Sequence, residues 1–395
     1  MRVCLVSQEY PPETASGGIG SQTYLKAHSL ARLGHEVVVI SASPDLRASE
    51  RQDGPVRLIR IAGYHGRMPL NTEPARWMTY STEVAATIAA LHARAPIDVV
   101  DFPEWGCEGY VHLLNRAEWD RIPTVIQLHG PLVMFAHTMG WPDPGSDFYR
   151  IGTEMERTCL RLADRIFSSA ACSIEWCSRY YGVGSERIPV LHAGVDTQLF
   201  RPGVAPKEQR PTIVFVGKIQ PAKGVDLLVE AMPRLARDHP DIMLRLIGTG
   251  DAEYRQELRA RAAAQNLPDT LDFAGFVPSS ELSAQLNRAH VLAVPSMYEG
   301  GPGFVYLEAM ACGLPVIACA GSGAVEVVRH QETGLLVAPR DLDGLVAALT
   351  MLLANPALCR AMGQRGRAFV EAEADSRVCS KRLEGFYRSV VDAGE

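Results

Sequence analysis

Thr212-Ile213-Val214-Phe215-Val216-Gly217-Lys218-Ile219-Gln220-Pro221-Ala222-Lys223-Gly224 is the stretch on which the reading of the fold turns. A short β-branched and aromatic run stops at a glycine, and the chain behind it changes period. Val225, Leu228, Val229, Met232, Leu235 and Ala236 follow the i, i+3, i+4, i+7 spacing of a helix with one core-facing stripe. A strand, a turn and a helix follow one another. The alternation continues with strands predicted at Ile242 to Ile247, Thr270 to Phe273, His290 to Val294 and Pro315 to Ala318, separated by further helices.

The same pattern fills the first half. Strands are predicted at Val3 to Ser7, His35 to Ser41, Val56 to Ile61, Ile97 to Phe102, Thr124 to His129 and Arg165 to Ser169, with helices at Gly18 to Leu33, Pro74 to Arg94 and Phe148 to Leu162. Strands alternating with helices predict parallel sheets covered on both faces, an α/β fold. Between the halves, Phe200-Arg201-Pro202-Gly203-Val204-Ala205-Pro206-Lys207 carries no period and reads as a linker. The expectation is two doubly wound domains, 1–200 and 201–375, facing across a cleft onto which the carboxyl ends of the strands open.

Composition agrees with that size. The 395 residues suit two or three domains at roughly 150 residues each. With 47% hydrophobic and 21% charged residues the chain is globular and not low-complexity. A net charge of −6 argues against a nucleic-acid binder, which needs a basic surface to displace phosphate counterions. Nine scattered cysteines without a C-x-x-C pair read as reduced core residues of a cytoplasmic protein. Met1 to Ser7 is too short an apolar run for a signal peptide, and the weakly polar stretch Ala309 to Gly321 falls short of the roughly 20 residues that span a bilayer.

Three constellations carry chemistry. Lys218 and Lys223, five apart, precede a helix whose free N–H groups and dipole favour an anion; two surface lysines in a loop is the plainer alternative. Pro295-Ser296-Met297-Tyr298-Glu299-Gly300-Gly301-Pro302-Gly303 precedes the helix Phe304 to Cys312, and its glycines let backbone approach a ligand. On that helix Glu308 sits among apolar residues, a costly place for a carboxylate unless sugar hydroxyls, a backbone donor or an arginine satisfies it. Third, Tyr10 to Gly20 holds Gly17, Gly18 and Gly20 before a helix. A dinucleotide fingerprint would need glycine at 23, where Thr23 stands, so a nicotinamide site is disfavoured.

Other features have plainer readings. His129 ends a strand at the expected rim of the first domain, where a structural role competes with a ligand contact. Asp341-Leu342-Asp343 reads as helix capping, not as a metal motif, and no metal is inferred. Arg157, Arg161 and Arg165 form a basic stripe that reads as a solvated face, with contact to a membrane surface or an acidic acceptor as the alternative.

Taken together the chain resembles glycosyltransferase family 4, retaining enzymes of the GT-B fold. The likeness runs from the Gly17-Gly18 loop through the His129 strand, the segment Ala193-Gly194-Val195-Asp196-Thr197-Gln198-Leu199-Phe200-Arg201-Pro202, Lys218 and Lys223, Gly248-Thr249-Gly250, and Glu299 to Pro315. The resemblance implies transfer of a sugar from a nucleotide diphosphate sugar, UDP-linked by expectation, to a hydroxyl of a carbohydrate, a lipid-linked or a small-molecule acceptor. It implies no cofactor, no metal and a front-face route with retention.

Residue by residue, Lys218 and Lys223 take the positions of the family's diphosphate-binding basic pair, although the first is usually arginine. The family's two glutamates are separated by seven residues, whereas Glu299 and Glu308 have eight between them. Either a bulge returns Glu299 to the donor sugar, or backbone around Gly301 and Gly303 replaces it. Glu308 takes the ribose hydroxyls, and Ala193 stands where the family has asparagine. Gly17 and Gly18 offer backbone to the pyrophosphate; Gly250, Phe276 and Val277 line the nucleotide pocket with Pro302 and Phe304 nearby. His129 faces donor sugar or acceptor, and Glu104 and Trp105 lie in the acceptor loop. The last helix, about Ser376 to Val391, packs back on the first domain. Competing readings are an epimerase or phosphorylase of the same shape and a non-catalytic sugar-nucleotide sensor. No transmembrane segment is expected, and peripheral membrane contact stays open.

Overall fold

A computed structural model of the chain describes all residues except 15–17, 63–70, 118–120, 298, 300, 322 and 394–395. It comprises two compact units, one of Met1–Ala193 with Cys379–Glu395 and one of Gly194–Val378.

The first unit holds strands β1 (Arg2–Val6), β2 (Glu36–Ala42), β3 (Ser49–Asp53), β4 (Val56–Ile61), β5 (Val99–Pro103), β6 (Thr124–Leu128) and β7 (Arg165–Ser168) in the order β3-β4-β2-β1-β5-β6-β7. Its helices are α1 (Gly18–Arg32), α2 (Glu73–Arg94), α3 (Tyr110–Leu114), α4 (Leu132–Met139), α5 (Asp147–Leu162) and α6 (Ala171–Tyr181). All strand pairs are parallel except β3 with β4. Strand β3 is Ser-Glu-Arg-Gln-Asp, exposed along most of its length, so it has no apolar alternation to signal a strand. Its pairing to β4 across a tight turn at Gly54, where φ is 57°, makes it one.

The second unit repeats the plan with β8 (Thr212–Val216), β9 (Met243–Ile247), β10 (Leu271–Gly275), β11 (Val291–Val294), β12 (Val316–Cys319) and β13 (Gly334–Val337) in the order β10-β9-β8-β11-β12-β13. Every pair is parallel. The helices are α7 (Val225–Leu235), α8 (Ala252–Ala264), α9 (Ser279–Arg288), α10 (Phe304–Ala311), α11 (Leu342–Ala354) and α12 (Pro356–Phe369). Ile213, Val214 and Phe215 of β8 and all four residues of β11 are buried, as strands covered by helices on both faces must be.

Both sheets reverse winding beside their first strand: β1 lies next to β5, and β8 next to β11. Connections there leave in opposite directions, so the loops after those strands part and leave a crevice. This is what positions the site.

The break between units falls at residues 193 and 194, ahead of the expected linker at 200–207. The reason is local. The Val195 N–H donates to the Ala374 carbonyl at 2.8 Å, the Ser376 N–H to the Val195 carbonyl at 2.9 Å, and Phe200 is buried in the second core. The closing helix α13 (Ser376–Val391) belongs to the first unit from Cys379 onward. Its Leu383, Tyr387 and Val390 join Val3 and Leu5 in one apolar cluster.

Candidate functional site

The loop after β8 begins at Gly217 and runs through Lys218 and Lys223 to Gly224 at the head of α7. The loop after β11 runs from Pro295 to Gly303 at the head of α10. The two touch. The Met297 N–H donates to the Ala222 carbonyl at 3.0 Å, and a Cβ on Gly224, at φ 69°, would lie 2.3 Å from the Pro295 carbonyl oxygen. Only glycine permits that approach. The exit of β9 is held as closely, since a Cβ on Gly250 would meet the Ile219 carbonyl at 2.4 Å while the Ile219 N–H donates to Thr249 at 2.8 Å.

Both lysines stand on the loop after β8, but they face different neighbours. Lys223 Nζ lies 2.7 Å from Glu299 Oε1. Lys218 is exposed, and no carboxylate pairs with it among the described residues. A cavity of about 330 Å³ opens beside it, lined by Lys218, Gln220, Thr249, Gly250, Asp251 and Tyr254 among others. The Asp251 carboxylate is committed to capping α8, accepting from the Glu253 and Tyr254 N–H groups at 2.8 and 3.2 Å. Phe276 is 74% exposed and Val277 partly buried after β10, and neither lines this cavity.

The Glu299 carbonyl accepts from the Gly323 N–H at 3.0 Å, a Cβ on Gly323 would lie 2.2 Å from the Gly301 carbonyl oxygen, and Gly303 turns at φ 73° into α10. Glu299 holds its side chain on Lys223, Pro302 is buried, and Phe304 opens the helix. Glu308, one turn into α10, is partly buried, and burial pushes its pKa up to about 7. Among the described residues nothing donates to its carboxylate.

In the first unit, His129 follows β6. Burial, with a smaller contribution from Lys26, lowers its pKa to about 3, so the imidazole is neutral. Its Nδ1 is buried with no partner among the described residues. Glu104 differs from the expected surface contact with an acceptor: it is fully buried, and Oε1 accepts from the His129 N–H at 2.7 Å and from Gly130. Glu104 therefore shapes the His129 loop from beneath. Burial raises its pKa to about 7 against the lowering effect of those backbone bonds, and its Oε2 has no partner among the described residues. Trp105 is wedged in an aromatic group, edge-on to Trp77 and Phe135 at ring distances of 5.8 and 5.2 Å. Gly18 opens α1 and is exposed, and Gly17 lies outside the described residues.

Sequence reasoning missed what holds the β1–α1 loop. Arg60, 3% exposed on β4, donates to the Tyr10 and Ala42 carbonyls, to the Thr14 and Ser41 hydroxyls and to Glu13 Oε2, at 2.6–3.0 Å. Glu108 Oε1 accepts from the Gln8 N–H at 2.9 Å, and Glu9 Oε2 from the Gly20 N–H at 3.4 Å. Lys26 is buried against Asp101 and Gln127, both at 2.6 Å, and Tyr387 of α13 donates to the same Asp101. An arginine or lysine in a half-apolar run is the only sequence trace of such contacts.

The basic stripe is corrected. Helix α5 ends at Leu162, so Arg165 stands on β7, off the face that carries Arg157, and Arg157 pairs with Glu154 at 2.9 Å. Asp341 caps α11, accepting from the Gly344 N–H at 2.9 Å. All nine cysteines are free and seven are buried. Among the described residues no single helix is long and apolar enough to cross a membrane.

Known proteins share this fold. Sucrose-phosphate synthase from Thermosynechococcus elongatus superposes with a TM-score of 0.84 at 24% identity, covering 99% of each chain. Anabaena Alr3699/HepE in complex with UDP and glucose superposes at 0.73 and 18% identity over 98% of this chain and 100% of that one. Two Rossmann-like units of this kind define the GT-B fold. Residues 196–369 match the family described as Glycosyl transferases group 1, and residues 16–199 match Glycosyltransferase Family 4. A GDP-mannose-dependent alpha-(1-6)-phosphatidylinositol monomannoside mannosyltransferase of Mycolicibacterium smegmatis is 31% identical over 389 residues, 92% of each chain. Glycogen synthase of Mycobacterium tuberculosis is 28% identical over 401 residues, 95% of this chain and 91% of its own. The chain belongs to glycosyltransferase family 4 and is a glycosyltransferase.

Proposed function

We propose that the protein transfers a sugar from a nucleotide diphosphate sugar to an acceptor hydroxyl, without a metal and with retention at the anomeric carbon. The observation that supports this most is that the loops after β8 and β11, neighbouring strands at the switch point of the second sheet, are tied by the Lys223–Glu299 contact at 2.7 Å, with Lys218 exposed on the first of them.

The chemistry follows from charge. As the bond from C1 to the phosphate oxygen breaks, negative charge grows on the diphosphate, and fixed cations there stabilise the transition state more than the ground state. Lys223 donates to Glu299, and an ammonium with three donors can serve more than one acceptor, a phosphate oxygen included. Glu299 both aims that ammonium and presents its own carboxylate to the sugar. Glu308, raised to about 7 when unsatisfied, is suited to accept from two ribose hydroxyls, which restore its ionised form. The departing phosphate oxygen takes the acceptor proton while C1 bonds to the acceptor oxygen on the face it vacates, so no side-chain nucleophile is needed. Backbone of Gly18, Gly301 and Gly303 contacts the pyrophosphate. Neutral His129 accepts from or donates to a sugar hydroxyl, and the Trp105 loop frames the acceptor, whether carbohydrate, lipid-linked or small molecule.

A UDP-sugar is the donor carried forward. GDP-mannose is the competing donor, since the mannosyltransferase relatives are GDP-mannose-dependent. The buried free thiols favour a reducing compartment, the cytoplasm. A thermal-shift panel of UDP-, GDP-, ADP- and dTDP-sugars tests the donor, since a ligand that binds only the folded state raises its stability. Nuclear magnetic resonance of the product then reads the anomeric configuration. Stabilisation by one nucleotide series and a retained configuration are expected; an inverted product, or hydrolysis alone, contradicts the proposal.

A further inference from the structure

The second unit has a larger cavity at the other end of its sheet. Pro211, His290 and Pro315 immediately precede β8, β11 and β12, three neighbouring strands, so this cavity of about 440 Å³ opens at their amino ends. Leu352, Leu353 and Pro356, where α11 passes into α12, close its far side. Open parallel sheets bind their ligands at the carboxyl ends, so this cavity is no part of the donor crevice. Its volume is within the range of small-molecule sites.

Its charge is one-sided. In a chain of net charge −6, the lining holds Lys207 and Arg360 and no carboxylate. Lys207 Nζ donates to the Ala289 carbonyl, and neither cation pairs with an acid among the described residues. An ammonium has three donors, so two are left over. Partial burial of that head lowers its pKa, the cost expected of a cation held near apolar walls without a counter-charge. Glu208, the neighbouring acid, is turned to Arg245 at 3.4 Å. His290 adds a neutral imidazole: its Nδ1 accepts from the Thr212 N–H at 3.1 Å, which leaves the proton on Nε2 as a donor.

We propose that this cavity is a second ligand site, taking a small organic anion whose sulfonate, carboxylate or phosphate meets Lys207 and Arg360 and whose apolar body of one or two rings fills the proline- and leucine-lined floor. The site is separate from the donor crevice, and its occupancy does not depend on what the crevice binds.

The test is a fluorescence titration of the full chain with 8-anilinonaphthalene-1-sulfonate, paired with N-phenyl-1-naphthylamine, which has the same ring system without the charge. One saturable site is expected, with the sulfonate bound at least about 10-fold tighter, since a desolvated charge pair adds at least that much. Arg360→Glu, at an exposed position, and the double variant Lys207→Glu/Arg360→Glu should weaken the sulfonate by about 10-fold or more and leave the neutral dye unchanged. Leu353→Trp, filling the floor, should weaken both dyes. Lys223→Ala, in the donor crevice, should change neither. Circular dichroism and melting temperature verify folding of each variant. Absence of a saturable site, equal affinity for the two dyes, or charge reversal without effect on the sulfonate overturns the proposal.

Discussion

Lys223 and Glu299 share one contact of 2.7 Å, and from it follows a division of labour between the two lysines. Lys223 is aimed by its partner, whereas Lys218 is exposed at the cavity mouth and free to follow a phosphate. Lys223→Ala should therefore lower kcat by about 10² or more, because fixed charge beside a developing anion carries that weight. Steady-state assays with the donor found in the thermal panel measure it, and wild-type turnover would remove Lys223 from the chemistry. Glu308 gives a pH signature. Its pKa rises from 4.5 unfolded to about 7 folded, so the folded state holds the extra proton between those values. Its contribution to stability is present below pH 4.5 and lost as pH climbs through 7. Melting curves from pH 5 to 8 should show Glu308→Gln with a shallower decline than wild type; an equal slope would mean that the carboxyl is satisfied. That Lys218 and Lys223 stand in the loop after β8, and Glu299 in the loop before α10, was legible because glycines at a strand end mark such loops. Glu104 was not, because a buried carboxylate that accepts from backbone leaves no pattern in a single sequence.

Loops of the element scale depend on side chains far from the ligand. Gly224→Ala places a methyl carbon 2.3 Å from the Pro295 carbonyl oxygen in a left-handed conformation. The variant should lose about 2–3 kcal/mol and separate the two loops, seen as weakened nucleotide binding together with a lower melting temperature. An unaltered affinity would show that the loops act independently. Arg60→Met takes one donor from each of the Tyr10 and Ala42 carbonyls, the Thr14 and Ser41 hydroxyls and Glu13, and should destabilise the chain by about 1–3 kcal/mol, measured by chemical unfolding. A loss below about 1 kcal/mol would mean that water replaces the guanidinium. Most strands were legible to within a residue or two, since β8 and β11 are unbroken apolar runs. β3 and β13 were not, the first being polar throughout and the second a four-residue edge strand that begins at Gly334.

At the scale of the molecule, two copies of one winding plan are joined by a chain that crosses at residue 193 and returns near 378. The doubling was visible because period and strand chemistry restart in the second half. The crossing point was displaced because Val195 and Ala374 pair through backbone, and backbone bonds have no residue preference to read. The account rests on a cationic crevice in the second unit that holds a nucleoside diphosphate. Isothermal titration of UDP, GDP and their nucleosides into wild type and Lys223→Ala tests it most directly. One diphosphate should bind wild type at least about 100-fold tighter than its nucleoside, and Lys223→Ala should erase most of that margin. Equal binding of diphosphate and nucleoside to wild type, or an unchanged margin in the variant, would contradict it.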